Sequence, residues 1–245
     1  MNWTDIGIVL SARKHGEGSA IVSLLTEEHG RHAGLVKGGS GKRARGIYEP
    51  GNLVSATWKA RLEEHLGTFT CELTKAHAAL VFDDQIRLAV LSAACAVTEV
   101  ALPEREPHPA LYESLTALLG RLAAEDWLAH YVVWELDLLR ELGFGLDLTS
   151  CVATGQLEEL IYVSPKSGQA VSIGAGEPYK NKLLRLPLFL MDGTAAIENT
   201  DIEAGLVLTG YFLDRHVFIH SRTGAPPART RLIDRVIQLS TISGS

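Results

Sequence analysis

Apolar and polar positions alternate along the first eighty residues and then change period. Ile6, Ile8 and Leu10 alternate with Gly7, Val9 and Ser11, and Ile21–Thr26 is a second β-rich run. Glu28-His29-Gly30-Arg31 reads as a turn into a third strand through Val36. Between Asn52 and Arg61, Leu53, Ser55, Thr57 and Lys59 share one face, while Val54, Ala56 and Trp58 share the other. Leu66–Leu73 makes a fifth strand after the turn at Glu63-Glu64-His65. From Asp83 onward, Ile86, Ala89, Val90, Ala93, Val97 and Val100 fall mostly three and four residues apart, a helical stripe that Pro103 ends. Further helices are predicted over about 110–123 and 126–142, the latter stopped by Gly143. Tyr162–Val171 reads as two short strands across a Pro/Gly turn. Helix returns at about 201–219 and again at 228–239, after Pro226-Pro227.

Five short strands in about eighty residues fit a small closed barrel better than an open sheet, and the barrel of this size that serves single-strand nucleic-acid binding is the OB-fold. The class is α+β: a five-stranded OB-fold barrel over 1–80, a helical bundle domain over 81–148, a small irregular β insertion over 149–195, and C-terminal helices over 196–245 that pack on the helical domain. At 245 residues the chain is long enough for a sizeable core.

Charge sharpens this division. The formal net charge is -6, yet residues 1–75 hold ten Lys/Arg against eight Asp/Glu, and residues 179–245 hold eight against six. Residues 76–150 hold four against twelve. Separate segments with separate partners follow. Within the first, Val36–Gly46 is glycine-rich with four cations and no acid. A polyanion-binding loop on an acidic protein is a local feature, because the global charge repels nucleic acid. The loop is expected at the tip of a β-ribbon, with Lys37, Lys42, Arg43 and Arg45 on phosphate. Arg13, Lys14, Arg31, Lys59 and Arg61 extend the surface.

Other chemistry finds little support. Gly41-Lys42 lacks the second glycine and the Ser/Thr of a phosphate loop, since Val36 and Arg43 stand in those places. Trp58 could stack a base, but it alternates with Val54 and Ala56, which puts it in the core. His216 and His220 stand four apart with no Glu between them, a structural pair rather than a metal site. No serine sits in a nucleophile elbow, and Cys151 has no His/Asn frame. Three scattered cysteines suggest reduced thiols and a cytoplasmic location, and neither a secretory signal nor a membrane span is visible.

The chain resembles the RecO recombination-mediator family of bacteria along essentially its whole length. The resemblance is carried by Gly7–Leu10, His15–Val22, Thr26–Gly30 and Val36-Lys37-Gly38, then by Glu141–Phe144, Leu146-Asp147-Leu148 with Cys151, Tyr162–Gly168 and Arg229–Leu232. It implies an OB-fold, a helical domain and a third region that in many members binds zinc through two Cys-x-x-Cys pairs. Here Cys151 fills the first ligand place, but Thr154 stands in the second, and Ser172 and Ala175 fall near the later pair. One thiolate cannot hold a structural zinc, so the 149–195 insertion reads as a degenerate zinc finger with no metal and no cofactor.

The resemblance further implies binding to single- and double-stranded DNA, strand annealing, association with RecR, and help in replacing single-strand-binding protein with recombinase, without covalent chemistry. An acidic, apolar tail on the single-strand-binding protein would need an apolar groove edged by cations, and Arg215, Arg222, Arg229, Arg231 and Arg235 beside Leu206, Leu213 and Leu232 are the candidates. A different reading is an interaction adaptor of the same pathway with only weak DNA binding of its own. A hydrolase has no support in the sequence.

Overall fold

Inward-facing apolar residues on five successive strands have to find one another, and a barrel is how they do so. The computed structural model describes residues 1–221 and 224–243; the side chains of Arg43 and of residues 240–243 fall outside the description. β1 (Asn2–His15), β2 (Ser19–Thr26) and β3 (Gly30–Val36) form an antiparallel meander. After the short helix α1 (Lys42–Arg45), β4 (Leu53–Lys59) returns to pair with β1, and β5 (Thr68–Lys75) pairs with β4. A parallel pairing at Leu35 and Thr68 joins β3 to β5 and closes the barrel in the order β1-β2-β3-β5-β4. This is the five-stranded Greek-key arrangement of an OB-fold.

The alternation read in β4 sets its core face: Val54, Ala56 and Trp58 are buried, while Lys59 is exposed. They meet Val9, Val22, Leu24 and Phe69 in one apolar cluster. The Trp58 indole N–H donates to the Leu66 carbonyl at 3.0 Å, which satisfies its polar atom in the core. Gly67 stands against that ring at φ 66°, where a Cβ would lie 2.4 Å from the indole nitrogen. Ile8 and Leu25 pair across β1 and β2 and are buried on the opposite side of these strands.

After the turn of helix α2 (His77–Leu80), α3 (Gln85–Ala101) begins at Asp84, whose carboxylate accepts from the backbone N–H groups of Ile86 and Arg87. Its buried residues centre on Val90, Leu91, Ala93, Ala94, Cys95 and Val97, and Val100 is exposed, so the predicted stripe is rotated by about one position. Helix α3 packs on β1, and α4 (Pro109–Arg121) follows. Residues 1–124 with 226–229 form one compact unit, and residues 125–225 with 230–245 a second. The segment read as one helical domain is thus divided: α3 and α4 lie in the unit of the barrel, because the outside of β1 is itself apolar and needs covering.

In the second unit, α5 (Trp127–Glu141) is followed by β6 (Leu160–Val163) and β7 (Ala170–Ser172), antiparallel across the predicted Pro/Gly turn. After the short α6 (Ile173–Gly176), a third strand absent from the sequence reading, β8 (Leu184–Arg185), adds to β6. Two residues offer no period to detect. Helix α7 (Asn199–His216) packs along α5. It starts two residues before the predicted Asp201, because Glu198 is the cap and Asp201 returns a bond to the Glu198 N–H at 3.2 Å, completing a capping box. Helix α8 (Pro227–Ser243) opens on the second of its two prolines.

Candidate nucleic-acid interface

The glycine-rich segment after β3 is a crossover and not a ribbon tip. β3 and β4 are not paired with each other, so the chain has to travel between them. It does so through turns at 37–41 and the single helical turn of α1. Ala44 and Ile47 pack against the barrel core and Tyr48 is buried within it, so this segment is a seated cap and not a solvated loop. Gly39 is buried where a Cβ would meet Ala20 and Val36 at 3.0 Å, and Ser40 N–H donates to the Gly18 carbonyl in the β1–β2 turn at 3.3 Å. Gly39 lets the backbone lie close on the barrel, and Lys37, Lys42 and Arg45 are exposed.

That seating gathers cations from distant parts of the sequence. A groove of about 400 Å³ is lined by Lys14 from the end of β1, Ser40 and Arg45 from the crossover, Tyr48, and Glu49. A neighbouring groove of about 290 Å³ is lined by Lys37, Tyr48 and the Thr68–Cys71 stretch of β5. Tyr48 belongs to both, so Lys14, Lys37 and Arg45 surround one buried aromatic residue. Burial raises the Tyr48 hydroxyl above its ordinary value, so it stays neutral. Lys42 is exposed on α1, and the Arg43 side chain lies outside the described residues. Lys59 and Arg61 are exposed, with Lys59 beside Thr68 in the β4–β5 register.

Two of the predicted DNA contacts are engaged elsewhere. Arg31 Nε donates to the Leu102 carbonyl at 2.8 Å and Nη1 approaches Glu104 at 3.3 Å, with only 17% of the side chain exposed. It fastens the end of α3 to β3. Arg13 is exposed but faces Glu99 at 3.6 Å, a weak surface pair.

The C-terminal arginines scatter too. Arg215 Nη1 donates to the Pro165 carbonyl at 2.8 Å and holds the β6–β7 turn. Arg229 is 3% exposed, Arg231 is exposed, Arg235 is half-buried, and Arg222 lies outside the described residues. His216 stacks on Phe144 at 4.6 Å, in keeping with a structural role.

In the β insertion, Cys151, Thr154 and Ser172 come together. Cys151 Sγ accepts from the Ser172 N–H at 3.3 Å and the Ser172 hydroxyl at 3.4 Å. Burial works against its charge, but these bonds, with others from Thr154 and Ala153, hold the thiol down at about 6. Among the described residues, no group of three or more His, Cys, Asp or Glu stands where it could hold a metal ion.

An OB-fold barrel followed by a helical domain is what the sequence resemblance implies, and the comparisons decide the family. The model described as "Recombination protein O N terminal" matches residues 1–77, and "Recombination protein O C terminal" matches 83–223. The chain belongs to the RecO family. It is 54% identical over 246 residues to the DNA repair protein RecO of Rhodospirillum centenum, covering 100% of this chain and 98% of that protein. The RecO of Rhodospirillum rubrum is 48% identical, with 96% of each chain covered. That of Rhodopseudomonas palustris is 49% identical, over 98% of this chain and 96% of the relative. Among the described residues, no helix is long and apolar enough to cross a membrane.

Sequence reasoning missed Tyr48 and Ser40 as parts of the RecO barrel surface, and also a second cluster of Trp3, His29, His32 and Arg105. No motif marks either, because each is assembled from three or more separate segments. Asp5 holds His29 Nδ1 at 2.9 Å in that cluster. Burial raises the Asp5 carboxyl, but bonds from His29 and from the backbone N–H groups of Glu28 and Ile6 leave it below its usual range.

Proposed function

We propose that this chain is a non-catalytic, DNA-binding recombination mediator in DNA repair, which anneals complementary strands and helps load recombinase onto DNA coated with single-strand-binding protein. RecO family membership supports the repair and recombination role. The observation that carries the DNA contact is the convergence of Lys14, Lys37 and Arg45 around Tyr48, with Lys42 alongside, on a protein of net charge -6. Annealing requires two polyanions to approach, and cations that displace condensed counterions lower that repulsion without reading sequence. The Tyr48 grooves supply such a surface on a rigid barrel. RecR and single-strand-binding protein are the partners this role requires, with Arg231, exposed on α8, as the candidate for the acidic tail.

Replacing Lys14, Lys37, Lys42 and Arg45 with Ala tests this. DNA binding should weaken similarly for all sequences. The log–log salt slope should fall by up to about 0.7 per lost contact on single strands and about 0.9 on duplex. A slope equal to that of the parent protein would remove these residues from the interface.

A further inference from the structure

Three stacked rings lead from the barrel core to its surface on a face the cation cluster does not use. Trp58, 1% exposed, stacks on Trp3 with centroids 5.7 Å apart, and Trp3 stacks on His29 at 4.2 Å and 11°. His29 is the outermost ring, 31% exposed and locked in orientation by Asp5. Beside this stack opens a cavity of about 380 Å³, walled by Trp3, His29, His32, Trp58, Glu63 and Arg105.

Two features of the wall lack an internal explanation. His32 is 4% exposed, and neither of its ring nitrogens has a hydrogen-bond partner. The Arg105 Nε is likewise buried and unpartnered, while its Nη2 donates to the His65 carbonyl at 3.0 Å. Arg105 is also held at φ 65°, an unfavourable conformation for a residue with a side chain. Buried polar atoms are normally paired, and the two residues that carry these orphans both line this one cavity. Met1 lines the same cavity and exchanges main-chain bonds with Ala60 at 2.7 and 3.1 Å, which sets Lys59 and Arg61 to either side of that contact.

We propose that this cavity receives one unpaired nucleobase of a DNA single strand. The ring lies against the Trp3–His29 stack, its polar edge meets His32, Glu63 and Arg105, and the adjoining phosphates lie on Lys59 and Arg61. A flat ring carrying both donors and acceptors matches a wall that offers a guanidinium, a carboxylate and a neutral imidazole between aromatic faces. Bases within a duplex are stacked and paired and cannot enter. This site therefore separates single from double strands, whereas the Tyr48 grooves meet phosphate in either.

The proposal rests on the DNA-binding reading above, and the test keeps the two apart. The full-length protein is titrated, by fluorescence anisotropy, with a labelled 12-nucleotide dA strand, a base-free deoxyribose-phosphate chain of equal length, and a duplex. The dA strand should bind on the order of 10-fold tighter than the base-free chain. His29→Ala, a partly exposed change, and Trp3→Leu should each remove that preference and leave base-free and duplex binding unaltered. Equal binding of the two single-chain probes by the parent protein overturns the cavity assignment alone, as does a full base preference retained in His29→Ala. Failure to bind all three overturns the DNA reading together with it.

Discussion

Arg31 and Lys14 are both cations at the barrel surface, and only their surroundings separate their roles. Arg31 finds a carbonyl and a carboxylate within its fork and serves the fold, while Lys14 lines a groove with Arg45. His32 shows the same dependence in its protonation. Burial, followed by the nearby charges of Arg105 and His29, depresses it to about 4. An unfolded histidine titrates near 6.5, so between about 6.5 and 4 the unfolded chain holds a proton at this residue that the folded chain refuses. Stability from His32 is therefore complete above about 6.5 and is lost as the pH falls toward 4. Melting temperatures at pH 7 and pH 5 should drop further for the parent protein than for His32→Phe. Equal drops would mean that His32 is not the titrating group.

At the scale of elements, the crossover from β3 to β4 and the β6–β7 hairpin each do a job that their composition disguises. The crossover looks like a flexible loop, but Gly39 serves close packing, while Lys37, Lys42 and Arg45 lie at the surface. The hairpin brings Ser172 to the buried Cys151 of the preceding turn, and Ser172 and Thr154 turn hydroxyls toward the Cys151 sulfur. Hydrogen bonds then fix the hairpin to the 151–156 turn, where Cys151 N–H also donates to the Gln156 carbonyl at 2.7 Å. Metal analysis of the purified protein should return no stoichiometric zinc, and chelators should leave its melting temperature unchanged. One zinc per chain would refute this account of the hairpin, since a structural site needs four ligands.

At the scale of the whole molecule, charge is partitioned along the chain, with ten Lys/Arg against eight Asp/Glu over residues 1–75 and four against twelve over 76–150. A separate surface for the acidic tail of single-strand-binding protein is expected from α8, where Arg229 shares its buried face with Leu232 and Val236, and Arg231 is exposed. Reversing both arginines would confuse folding with binding, because Arg229→Glu buries a carboxylate where a guanidinium now stands. That change should cost about 3 kcal/mol or more of stability, measured by denaturant unfolding. Arg231→Glu should leave stability and binding to naked DNA intact while weakening the tail peptide about 5-fold, the equivalent of ~1 kcal/mol for one exposed charge. Unchanged peptide binding in Arg231→Glu would move the tail site elsewhere.

The sequence by itself determined the strands of the barrel, the core place of Trp58, the long helices to within four residues and the family, because these follow from period, caps and motif order, all local in the chain. It also located the cation-rich crossover. Only the tertiary structure decided which cations are available. It took Arg31 into the fold, bonded the exposed Arg215 to the β6–β7 turn, buried Arg229, and brought Lys14 beside Arg45 across thirty residues of intervening chain. The Trp3–His29 cavity lay beyond the sequence for the same reason. Side chains that alternate on separate strands become neighbours only when the sheet closes, and the register of that closure is a property of the whole barrel.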